Sequence, residues 1–217
     1  MGDIERQMAQ WVQSLGGELM LAVGDDLYKL TSDDQLPMEQ FHVLRVQLSD
    51  RSNLSQGDFE RLGQLKRLRI LELGGASVSD DDLIPIGRLP ELEDLDVART
   101  GVGDAGVLHL SDMPSLYVLH LFETRITNEA LRVIGGNPKL LHLYLSDTEV
   151  DDVGIAHLAP LKLLRSLDLR GTRISDRSLS VLGAMSQLEE LRLEGTRVTR
   201  SALESLQRQL PNCQIRY

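Results

Sequence analysis

The sequence predicts an α/β fold: a right-handed solenoid with a parallel concave sheet, convex helices and a cap at each end. Three observations carry that expectation. The pattern Leu-x-x-Leu-x-Leu returns at a constant interval of 24 residues. Within each interval the apolar spacing changes from two to three and four, as from strand to helix. Polar residues suited to helix starts return at the same step.

The pattern stands at Leu68/Leu71/Leu73, Leu92/Leu95/Val97, Leu116/Leu119/Leu121, Leu140/Leu143/Leu145, Leu164/Leu167/Leu169 and Leu188/Leu191/Leu193. A less regular copy, Val43/Val46/Leu48, precedes them and is one residue longer. Alternation around the last two leucines predicts a strand with one buried face. The second half of each unit, for example Leu131 and Ile134 or Leu179 and Leu182, predicts a short helix with one apolar stripe. Ser79, Thr127, Asp151, Ser175 and Thr199 precede these helices as N-cap residues. Asp80, Asp104, Asp152 and Asp176 follow them, where a carboxylate favours the positive helix end. Gly103 interrupts the first column and Arg200 the second. No unit can bury its apolar stripe alone, so neighbours must stack around a shared core.

Thr100, Thr124, Thr148, Thr172 and Thr196 form another column, with Ala76 in the first unit. Their hydroxyls are suited to bonding backbone groups where the chain leaves each strand. The run Leu-x-Leu-x-x-Thr-x-Ile/Val-x-Asp/Asn, as at Leu145–Asp152 or Leu169–Asp176, resembles the leucine-rich-repeat family. The nearest subtype is that related to ribonuclease inhibitor and to cysteine-containing repeats, with Thr where the family usually carries Asn or Cys. The resemblance covers residues 43–217, and Leu210–Ile215 is similar to the close of bacterial arrays of this type. It implies a horseshoe segment that binds a protein or peptide partner on its concave face, without catalysis and without a cofactor.

Residues 1–42 fall outside the repeat and are expected to cap it. Ile4, Met8, Trp11, Val12 and Leu15 share one helical face, with Trp11 expected in the core. Gly16–Gly17 would end that helix, Glu18–Val23 reads as a strand and Gly24–Glu39 as an acidic loop. Leu36-Pro37-Met38-Glu39 is similar to the opening of an F-box, yet a strand follows within four residues where that module needs helix. The repeats span 43–209, and residues 210–217 repeat the strand spacing, which predicts a capping strand with Cys213 in the core.

Composition narrows the partner. The net charge is −10, and no Lys/Arg run supplies the phosphate neutralisation on which nucleic-acid binding depends. An anionic membrane surface is disfavoured for the same reason. No apolar run reaches the length of a membrane span, and one cysteine precludes an internal disulfide, so a cytoplasmic single chain, a monomer, is expected. Hydrolase elbows, phosphate loops and dinucleotide-binding glycine motifs are missing.

The side chains between the buried leucines should face the concave side. One column reads Glu72, Asp96, His120, Tyr144, Asp168, Arg192, and another Ile70, Asp94, Val118, His142, Ser166, Glu190. Aromatics make up 4% of the chain, yet Tyr117, Phe122 and Tyr144 fall in adjacent units. Together with Val118, His120 and His142 they form the candidate partner-binding patch, bordered by Asp96 on one side and Asp168, Arg170 and Arg192 on the other. Aromatic anchors ringed by charge concentrate binding energy. His120 and His142 could join Asp96 or Asp168 as metal ligands, but such a site needs three or four oriented groups, and no metal site is expected. Arg99, Arg125, Arg173 and Arg197 could each serve as an arginine finger, and nothing selects one. The alternative to a free-standing binding module is a recruiting or regulatory part of an enzyme system, such as an effector or a ubiquitin-ligase-type substrate receptor.

Overall fold

The computed structural model describes residues 2–217; the expected cap begins at Met1, which lies outside the described residues. Helix α1 (Gly2–Ser14) buries Met8, Ala9 and Val12. It lies across β1 (Glu18–Val23) and β3 (His42–Gln47), which turns Ala9 and Val12 toward the sheet and leaves its flanks to solvent. Ile4 is therefore exposed. Trp11, expected in the core, is half-buried on a groove of about 380 Å³ shared with Gln7, Arg61 and Gln64.

The expected loop after β1 contains a strand, β2 (Asp26–Leu30), paired antiparallel with β1. Gly24, at φ +58°, permits the two-residue turn between them. The strand carried no alternation in sequence because of its five residues Leu30 alone is buried.

From β3 onward the chain repeats. Strands β4 (Ile70–Glu72), β5 (Asp94–Asp96), β6 (Val118–His120), β7 (His142–Tyr144), β8 (Ser166–Asp168), β9 (Glu190–Arg192) and β10 (Gln214–Arg216) extend the sheet in parallel. The repeat strands are parallel as expected, and the cap strands β1 and β2 run antiparallel at the first end of the sheet. Between the strands lie α2 (Gln56–Leu62), α3 (Leu83–Ile86), α4 (Asp104–Leu108), α5 (Asn128–Ile134), α6 (Asp152–Ile155), α7 (Leu179–Gly183) and α8 (Arg200–Gln209). Several are supplemented by a turn of 3₁₀ helix, as at Asp80–Asp82 and Asp176–Ser178. The strand leucines and helix aliphatics form one continuous core from Met8 to Cys213. Burial, helped by the Glu190 carboxylate, pushes the Cys213 thiol up to about 11, as suits a packed side chain rather than a nucleophile.

Three features recur at the same step in successive units. The Thr hydroxyls at 100, 124, 148, 172 and 196 donate to the carbonyl three residues earlier at 2.6–2.7 Å. The residue before each Thr is left-handed: Arg99, Glu123, Asp147, Gly171 and Gly195 have φ between 53° and 73°. Gly171 takes this conformation without strain, and a Cβ there would lie 2.1 Å from Asp147 Oδ1, so a larger residue would displace that carboxylate.

The third crosses between units. Asp104 does not serve only its own helix: it accepts from Thr127 N (2.8 Å), Thr127 Oγ1 (2.7 Å) and Ala130 N (3.2 Å) at the start of α5. Asp80 accepts from Gly103 N, and Asp176 from the backbone and hydroxyl of Thr199. Asp152 accepts from Ser175 in the same way and from the Ser178 hydroxyl. Asn128 holds Asp151 reciprocally, through both its amide nitrogen and its oxygen. Burial acts to raise the Asp152 carboxyl, but the hydrogen bonds from Ser175 and Ser178 outweigh it and hold the group below the usual range. The column ends at Arg200, beyond which the chain runs into β10 instead of another helix.

Candidate functional site

The parallel pairing sets the concave columns in the register the repeat predicts. Glu72, Asp96, His120, Tyr144, Asp168 and Arg192 lie side by side, as do Ile70, Asp94, Val118, His142, Ser166 and Glu190. Neighbouring strands are ~4.8 Å apart, so the side chains of each column are neighbours across the sheet.

At the centre, His120 of β6 and Tyr144 of β7 stack with ring centroids 4.4 Å apart and planes 13° from parallel. Such a stack is a firm, low-entropy apolar shelf. Val118 and His142 oppose each other in the next column. Phe122 follows β6 in a column whose other members include Gly74, Ala98 and Ser146, so a large ring stands among small side chains. Tyr117 precedes β6; its backbone N–H donates to Glu93 and its carbonyl accepts from Leu141 and His142. All six side chains are half-buried. The structure thus sets Val118, His120, His142 and Tyr144 beside one another across β6 and β7.

The two flanks differ. On the side of the earlier units Arg45 grips Glu72 with two 2.8 Å hydrogen bonds, Nε to Oε2 and Nη2 to Oε1. Arg45 was not singled out from sequence, although aligning Val43/Val46 with Leu68/Leu71 sets it in the Ile70 column. Asp96 accepts from the Ala98 backbone N–H at 2.9 Å. Burial holds the Asp94 carboxyl above its ordinary value, with Glu72 and Asp96 adding to the effect and His120 and Arg45 opposing it. His120 Nε2 lies 3.6 Å from Asp94 Oδ1, too far for a hydrogen bond.

On the other flank, Asp168 corrects the expectation of an accessible rim carboxylate, being 2% exposed. Arg170 folds back over it, with Nε 3.0 Å from both oxygens and Nη2 2.6 Å from Oδ2, and Arg192 approaches to 4.0 Å. What that flank offers solvent is the exposed Arg170 guanidinium and the Arg192–Glu190 pair. His120 and His142 fall in different columns, and among the described residues no three His, Cys, Asp or Glu side chains gather to hold a metal ion. Of the candidate arginines, Arg99 pairs with Asp50 at 3.6 Å and Arg173 with Glu149 at 3.6 Å.

A family model described as Leucine Rich repeat matches residues 136–159 and 161–183. Among curated proteins no sequence matches significantly. Solved structures do. Internalin C2 of Listeria monocytogenes is 21% identical, with a TM-score of 0.59, over 80% of each chain. A leucine-rich-repeat protein of Leptospira interrogans is 19% identical, with a TM-score of 0.53, over 73% of this chain and 45% of its own. The structure of PEPR1–AtPEP1 is 21% identical, with a TM-score of 0.54, over 81% of this chain and 24% of that one. The chain therefore spans less than half the length of two of these three. Two repeats match the family model and these structures share the fold over 73–81% of the chain, so the fold is that of a leucine-rich-repeat solenoid.

Proposed function

We propose that the concave face binds a protein or peptide segment, without catalysis, through the shelf formed by His120 and Tyr144 with Phe122, Val118, Tyr117 and His142 around it. The stacked pair carries this reading: two rings held parallel at 4.4 Å, half-open to solvent, are anchors whose conformational entropy is already lost. The flanking charges are largely satisfied internally, by Arg45 on Glu72 and by Arg170 on Asp168. A partner therefore meets an apolar centre with a polar rim, the arrangement in which few residues carry most of the binding energy. The PEPR1–AtPEP1 structure shares the solenoid. A net charge of −10 sets the surface against nucleic acids and anionic membranes. Among the described residues no helix is long and apolar enough to cross a membrane. The cytoplasmic setting expected from sequence finds no support among the similar structures, and this reading does not depend on it.

The test is a partner recovered by cross-linking and its affinity measured by calorimetry. Phe122→Asp and Tyr144→Asp should each weaken binding by at least about tenfold, with unchanged circular dichroism, because a buried charge replaces an aromatic anchor. Full affinity in the double variant would sink the proposal.

A further inference from the structure

The carboxylates on the concave strands β4–β9 differ in how they are neutralised. Glu72 is gripped by Arg45, Asp168 by Arg170, and Glu190 by Arg192 with Arg216 at 3.8 Å. Asp94 and Asp96, both on β5, are the exceptions: among the described residues neither pairs with a lysine or arginine. Arg45 acts on Asp94 from a distance but spends its hydrogen bonds on Glu72. The Asp94 side chain is 32% exposed, and neither of its oxygens accepts a hydrogen bond from the described residues. Asp96 gives Oδ1 to the Ala98 N–H. Its Oδ2 lies over Gly74, where a Cβ would meet it at 2.8 Å and where glycine leaves it uncovered. Next to these open oxygens stands the His120–Tyr144 stack.

Resting on the concave-face reading, we propose that the partner is an extended protein segment with an arginine and a large apolar residue two positions apart. The guanidinium sits between Asp94 and Asp96, and the apolar side chain sits on the His120–Tyr144 shelf. Arginine fits the carboxylates better than lysine does. Its planar fork presents donors along two edges, enough for the open oxygens of both groups, and it sheds water more cheaply than an ammonium group. The spacing comes from the sheet. From β5 to the midline of the β6–β7 stack is one and a half strand spacings, ~7 Å, and same-face residues of an extended segment also repeat at ~7 Å. A segment crossing the strands therefore reaches both places with side chains two positions apart.

The electrostatics favour the same occupant. Burial, with Glu72 and Asp96 nearby, already holds the Asp94 carboxyl above its ordinary value, so its charge is undercompensated in the free chain. A guanidinium supplies that compensation, and no apolar side chain does. The other flank offers no equivalent, since Arg170 covers Asp168. Arginine thus belongs on the side of the earlier units, which also orients the segment across the face.

Selection from a phage-displayed library of random linear dodecapeptides on the immobilised full chain tests this. Selected sequences should carry arginine two positions from a large aliphatic or aromatic residue, far above its frequency in the starting library. On Asp94→Asn/Asp96→Asn the arginine preference should vanish while the apolar preference persists. Glu60→Gln/Glu204→Gln removes as much charge from the exposed faces of α2 and α8 and should leave both preferences intact. By calorimetry, the strongest selected peptide should bind at least about tenfold less tightly once its arginine is replaced by glutamine. Apolar peptides selected without arginine, or arginine retained on the Asp94/Asp96 variant, would overturn the proposal and leave the concave-face reading standing. An equal loss of arginine on the Glu60/Glu204 variant would trace the preference to net charge and overturn it too. If Phe122→Asp/Tyr144→Asp selects the same peptides as the unaltered chain, or the unaltered chain selects none, the concave-face reading fails and the proposal with it.

Discussion

Asp94 is the concave carboxylate least at ease in its setting. Burial raises its pKa, and Glu72 and Asp96 raise it further against the pull of His120 and Arg45. A carboxyl whose folded pKa exceeds its unfolded one stabilises the fold while protonated, and that contribution is lost as pH rises through the folded value. At neutral pH its ionised form therefore works against the fold. Asp94→Asn, which keeps size and polarity, should raise the melting temperature at pH 7. It should be neutral near pH 3, where Asp94 is protonated in both states; thermal melts at the two pH values check this. An equal gain at both would show that charge is not the cause. At this scale the sequence was an uneven guide. Column membership set Asp96, His120 and Tyr144 side by side correctly. Asp168 occupies the same column as Asp96 and reads identically. Whether a carboxylate stays open depends on the reach of its neighbours, and Arg170 and Arg192 reach Asp168.

At the scale of elements, strands and helices were legible where a buried face imposed a period. β2 was missed because an edge strand with one buried residue carries no such period. The N-caps were legible too, since Thr127 and Ser175 each accept from a backbone N–H of their own helix. The destination of the acidic column was not. Asp104 stands at the start of α4, and sequence alone suggests that it answers that helix's dipole. The structure gives it three donors at the start of α5, a relation set by how units stack. Asp104→Ala leaves the Thr127 and Ala130 N–H groups to find other acceptors. Charge-assisted bonds of this kind contribute ~1.5–3 kcal/mol, so a loss of about 2 kcal/mol is expected in urea denaturation. Asp104→Asn, retaining one acceptor oxygen, should lose about half as much. A loss below about 0.5 kcal/mol for the alanine variant would mean that water substitutes for the carboxylate.

For the whole molecule, the cross-unit ladder gives the array an arrow. Asp80, Asp104, Asp152 and Asp176 each sit in the earlier unit and serve the helix start of the later one. Stacked repeats otherwise exchange stability evenly with both neighbours. Here, fraying that begins near β10 leaves each remaining helix with its carboxylate, whereas opening that begins near α2 strips the next helix start as it advances. In Asp104→Ala, native-state hydrogen exchange should quicken at Thr127, Ala130 and the helices beyond, while Leu83–Ile86 keeps its protection. Symmetric loss on both sides would remove the arrow. A chain built of near-identical parts thus has a downstream direction, and damage travels along it more readily than against it.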